Sequence, residues 1–191
     1  MKRATVLLTI FVLSTMSCKA QHIIPIEDTY KYKGTEGGLL GDYDYVYVKD
    51  VNNHLTKFIG AWKGNYDDKN YEVRIIKRTT DDPEVKKDEL LMRYKITDSN
   101  GTVIENTLSL PNDSNFVLTN GYVDRDGGYV FSYIGRDIAC GQNGWVFTQV
   151  YGDTKQKMQL FLSVEGEMYP ECLTGDAKQI LPVHAMILIK Q

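Results

Sequence analysis

Leu90, Met92, Tyr94 and Ile96 are apolar, Arg93, Lys95 and Thr97 between them are polar, and the run stops at Asp98-Ser99-Asn100-Gly101. An alternation of period two puts one face of an extended strand in a core and the other in water, and no helix can use it. Asn-Gly supplies the left-handed backbone of a tight hairpin turn. The same grammar recurs. Tyr71, Val73 and Ile75 alternate with Glu72 and Arg74, and Ile104, Asn106, Leu108 and Leu110 share a face until Pro111. Phe116 to Leu118 is a brief apolar piece, and Asp126-Gly127 marks a turn before Tyr129 to Ile134. Trp145 to Tyr151 and Lys157 to Val164 flank the turn Gly152-Asp153-Thr154, and Val183 to Ile189 ends the chain with apolar residues on both faces. About eight strands at short spacing predict an all-β antiparallel sandwich or barrel. A final strand this apolar favours closure, because an open apolar edge invites aggregation.

The high count of tyrosine, 13, suits strands better than helices. A formal charge of −3 with scattered basic residues gives no footprint for nucleic acid.

Lys2 and Arg3 precede the apolar stretch Ala4 to Leu13, followed by small and polar residues. This is the layout of an export signal over residues 1–17, and it falls short of the about 20 apolar residues of a membrane span. Thr15-Met16-Ser17-Cys18 resembles a bacterial lipobox, with Cys18 as the lipidated residue; Thr15 and Met16 depart from the usual pattern. Lipidation would anchor the chain at a membrane surface of the cell envelope. Cleavage after Ala20, giving a secreted form, is the alternative. In an exported chain Cys140 and Cys172 read as a disulfide, since both fall at the open end of the hairpin formed by the two strands around Gly152.

Residues 18–49 are turn-rich and read as a tether, within which Tyr43, Tyr45 and Tyr47 have strand spacing. Val51, Leu55, Phe58 and Ile59 have helical spacing, with Asp50 or Asn52 to cap the start and Gly60 to stop it. The folded domain is expected over residues 50–191.

A short helical turn followed by Gly60-Ala61-Trp62 and a long antiparallel run resembles the lipocalins. That resemblance implies an up-and-down β-barrel of about eight strands, with Trp62 plugging one end behind Gly60. It also implies that Lys190 packs over the ring as a cation–π partner. The family's second signature, Thr-Asp-Tyr, is missing. The block VKDVNNHLTKFIGAWKG behind a signal ending SCKAQ also resembles a family of small secreted or lipid-anchored flavobacterial proteins with no assigned activity.

The chemistry of catalysis is not legible. His22, His54 and His184 are scattered, with no metal-ligand spacing and no nucleophile elbow. Asp124-Arg125-Asp126-Gly127 lacks the Glu of a calcium loop, so it reads as a solvated turn. Asp81, Asp82 and Glu84, beside Pro83 and Lys86-Lys87, read as a polar loop. The expectation is therefore a non-enzymatic protein without metal or cofactor, binding a small apolar or amphiphilic ligand inside the barrel. Tyr71, Val73, Ile75, Met92, Tyr94, Phe131 and Phe147 would line that interior. The alternative is an envelope interaction module or hydrolase inhibitor with a filled core.

Overall fold

A computed structural model describes residues 22–32 and 34–191; the expected export signal, Cys18 and the expected cleavage positions lie outside them. The chain forms the strands β1 (His22–Pro25), β2 (Val46–Lys49), β3 (Gly60–Tyr66), β4 (Lys69–Asp81), β5 (Val85–Asp98), β6 (Val103–Asn106), β7 (Thr119–Val123), β8 (Tyr129–Ile134), β9 (Asn143–Tyr151), β10 (Lys157–Val164) and β11 (Met186–Lys190). The run expected from Ile104 to Leu110 ends as a strand at Asn106, and the final run begins at Met186. They make one 11-stranded sheet in the order β1-β2-β5-β4-β3-β11-β10-β9-β8-β7, with β6 also on β5. The turn at Asp98 works as its letters suggest. Gly101 has φ +85° and donates its N–H to Asp98 O at 3.1 Å, and the Asp98 carboxylate accepts from the N–H groups of Asn100 and Thr102.

The last strand returns to the first of the meander, pairing Ile189 with Lys63 and Lys190 with Trp62. The sheet nevertheless is not closed into the expected barrel. The edge of β5 is already occupied, by parallel β2 at Val85 to Lys87 and by β6 at Lys95 to Thr97. The chain entering β7 therefore meets β5 through one pair of backbone hydrogen bonds, Met92 with Leu118 at 2.9 and 3.0 Å. In the gap beside it, Leu90 N–H donates to the Tyr129 hydroxyl at 3.1 Å, so a buried donor of the interrupted edge is satisfied by a side chain.

The concave face is filled. Trp62, Tyr71, Val73, Ile75, Met92, Tyr94 and Phe131 are all at most 2% exposed and join one core cluster with Leu160, Leu188 and Tyr129. Phe147 is the exception among the expected lining residues. Its neighbours Val146 and Thr148 are buried, so by alternation it points to the opposite face, where its ring stacks on Phe161 at 5.1 Å.

The segment read as a tether is built into the sheet from His22 onward. β1 pairs parallel with β2, and Ile24, Ile26, Val46 and Val48 belong to the same core as the meander. Between them Ile26–Tyr32 is a 3-10 helix. The helix expected over Asp50 to Ile59 reduces to a 3-10 turn at Thr56–Phe58. The reason lies in Asp50, whose buried carboxylate engages a lysine. Lys77 Nζ lies 3.0 Å from Asp50 Oδ2 and 3.3 Å from Asp88 Oδ2. Tyr47 and Thr79 donate their hydroxyls to Asp88 Oδ1 at 2.9 and 2.8 Å, and Asp50 N–H donates to Asp88 Oδ2 at 3.1 Å. This polar knot ties β2 and the turn after it to the β4–β5 hairpin. The hairpin itself extends through the expected polar loop, leaving only Asp82 to Glu84 outside the strands.

Candidate functional site

With the interior filled, the apolar cavity of interest lies outside it, beneath the N-terminal arm. It measures about 320 Å3, within the range of small-molecule sites. The 3-10 helix supplies Ile26, Thr29 and Tyr32, the following loop Leu39, β2 Val48, β5 Lys87, and β7 the stretch Asn120 to Tyr122. Each wall has a local cause. Thr29 donates its hydroxyl to Ile26 O at 2.9 Å, which satisfies it within the helix and leaves its methyl available to the cavity. Asn120 takes φ +53°, a left-handed conformation that asparagine tolerates, where the β7–β8 register slips. At Gly121 a Cβ would lie 2.3 Å from Val130 O, so no other residue fits without moving β8. That glycine lets the β7 backbone approach, and its carbonyl accepts a hydrogen bond from Lys87 Nζ at 2.6 Å.

Lys87 is the one charged side chain among the described residues lining the cavity. Burial lowers its pKa from the ordinary lysine value, with Glu89 acting in the opposite direction. Glu89 is itself engaged elsewhere, by Arg78 at 2.8 Å and by the Thr119 hydroxyl at 3.2 Å. Lys87 thus has no ion-pair partner among the described residues, and one of its three N–H donors is used.

The residues singled out from sequence fall elsewhere. Trp62 is fully buried, donates Nε1–H to Phe58 O at 2.8 Å, and has Lys190 Nζ 5.1 Å from its ring centroid. Gly60 stands at φ +134°, and a Cβ there would come 3.0 Å from Lys190 Cε, so the glycine leaves room for the lysine stem to cross the ring. Cys140 and Cys172 form the expected disulfide. It pins the long segment between β10 and β11, which is also held by Tyr169 N–H to Ala139 O and Ala177 N–H to Cys140 O.

The histidines do not converge. His22 stacks on Tyr43 at 3.8 Å, His54 Nε2 lies 3.4 Å from Glu27, and His184 is exposed. Among the described residues no group of three His, Cys, Asp or Glu is placed to hold a metal ion, and no helix is long and apolar enough to cross a membrane. Sequence reasoning missed Lys87 and the Asn120-Gly121 pair. The second carried a signal, because Asn-Gly marks a backbone that needs left-handed geometry.

No curated protein and no solved structure matches this chain. The model of a family of unknown function, DUF6705, matches residues 1–191, and the chain belongs to that family.

Proposed function

We propose that this protein is a non-enzymatic binding module of the cell envelope, lipid-anchored at Cys18, that takes a small apolar or amphiphilic ligand beneath its N-terminal arm. The observation that carries the reading is the contrast between two places. The concave face of the sheet is packed with side chains, whereas the arm roofs an apolar cavity of about 320 Å3. Position adds support. Eight residues separate Cys18 from Ile26 in the cavity wall, a reach of at most about 29 Å. An anchor at Cys18 would therefore hold the cavity close to the membrane, where apolar molecules are concentrated.

Native mass spectrometry of the mature protein isolated from its own membranes tests this, with wild type compared with Leu39→Trp. The indole would fill the cavity from a half-buried loop position. A bound small molecule is expected on wild type and not on the variant. No bound molecule, or the same one on both, removes the reading. The mature N-terminus in the same spectra decides the anchor, since a free Gln21 end refutes lipidation.

A second reading, an interaction module of the envelope, draws support from the outer face of the sheet. There the Phe147–Phe161 stack shares a face with Ile187 and Ile189 of the neighbouring strand, each 44% exposed. On this reading Ile187→Lys abolishes a stable complex seen by sedimentation of envelope extracts, and leaves ligand retention by the cavity intact.

A further inference from the structure

The cavity beneath the arm is apolar apart from a few groups, and one of those is an ammonium. Lys87 reaches it from β5, on the same face as Val48 of the adjacent strand, and its Nζ rests against the Gly121 carbonyl at 2.6 Å. A lysine held beside apolar walls without a carboxylate partner is costly, because a charge removed from water needs compensation. The acid that acts on it, Glu89, is committed to Arg78 and Thr119. Among the described residues, no negative charge compensates the ammonium where it lines the cavity.

We infer that the ligand is a single-chain amphiphile with a carboxylate head, the head paired with Lys87 Nζ and the chain lying between Ile26, Leu39 and Val48. The inference rests on the reading of the cavity as a binding site and names its ligand class. A single ammonium suits a monoanion, since no second basic side chain lines the cavity among the described residues. Size sets the chain. At the roughly 30 Å3 that a water occupies in the liquid, the cavity of about 320 Å3 holds on the order of ten methylene-sized groups. The Lys87 donors left over by Gly121 O, with Asn120 among the lining residues, are the polar groups that would fix the head.

Titration calorimetry with decanoate and with decanol separates head from chain. Wild type is expected to bind decanoate at least about tenfold more tightly than decanol, the scale of a charge-assisted hydrogen bond. Each methylene removed from the acid weakens binding about fourfold. Lys87→Met brings decanoate down to the affinity of decanol measured on the same variant. Lys87→Gln, which keeps an N–H donor for Gly121 O, gives the same loss if the first variant unfolds, and the wild-type comparison needs no variant. Equal binding of acid and alcohol by wild type, or a preference that survives both substitutions, overturns the carboxylate assignment and leaves the apolar cavity standing as the site. Failure of both ligands to bind overturns the cavity as a site, and the head-group assignment with it.

Discussion

Removing Lys77 is the sharpest test of how the arm is held to the sheet. Its ammonium lies between two carboxylates whose side chains are 0% exposed in Asp50 and 5% in Asp88, while the lysine side chain itself is 29% exposed. In Lys77→Met, Asp88 keeps its bonds from Tyr47, Thr79 and the Asp50 N–H. Asp50 keeps only long contacts from Leu55 N–H at 3.4 Å. Breaking a buried pair from one side costs about 3–5 kcal/mol when both charges are enclosed. Partial exposure of Lys77 softens this, so the expected loss is about 2–3 kcal/mol, or a fall in Tm of about 5–10 °C for a chain of this size. Urea denaturation reads it directly. Adding Asp50→Asn removes the stranded charge and is expected to recover more than half of the loss. A single-variant cost under about 0.5 kcal/mol, or a double variant no more stable than the single, would refute the claim that this knot fastens the arm.

Burial pushes the Asp88 carboxyl up, but bonds from Thr79, the Asp50 N–H, Tyr47 and Lys77 outweigh it and hold the pKa below the ordinary value. A depressed carboxyl stabilises the fold above its unfolded pKa of about 4, and that contribution fades as pH falls through the folded value. Asp88→Asn is thus expected to flatten the acid limb of a stability–pH curve below about pH 4; an unchanged limb contradicts the assignment. Reducing the disulfide, whose cysteines are 32 apart in sequence, removes about 4 kcal/mol of loop constraint from the unfolded chain. Thermal melting with and without reductant should show it, and coincident curves count against a structural role. Gly60→Ala places a Cβ at φ +134° and against Lys190 Cε, with an expected cost of about 2 kcal/mol by urea denaturation. A neutral effect would mean that Lys190 can leave the Trp62 ring without loss.

Strands such as β4 and β10 were legible because burial alternates along them, whereas β6 is largely exposed and β5 is buried on both faces from Asp88 to Met92. Tyr71, Val73 and Ile75 turn inward as their spacing requires, and the Asp98 turn forms where Asn-Gly stands. Closure was not legible. It depends on which strand occupies the β5 edge, and the occupant, β2, arrives by a parallel pairing that local alternation cannot encode. Phe147, expected inside, lies on the opposite face, as the burial of Val146 and Thr148 on either side of it shows.

The cavity stayed hidden for a related reason. Lys86-Lys87 read as the border of a polar loop, yet the acids that follow, Asp88 and Glu89, are under 5% exposed, because Lys77 and Arg78 of the facing strand neutralise them. Residues 22–49 read as a tether since glycines interrupt them. Their buried residues come as two short pairs, Ile24 with Ile26 and Val46 with Val48, each too brief to stand out as a core-facing run.

The central claim is that the ligand sits under the arm and that the sheet interior is full. Methyl-resolved NMR of the mature protein titrated with decanoate tests it most directly. Shift changes and ligand contacts are expected at Ile26, Leu39 and Val48, with Val73, Ile75, Met92 and Leu160 unmoved. Ligand contacts at Val73, Ile75 and Met92, with the methyls under the arm silent, would place the ligand inside the sheet and contradict the account.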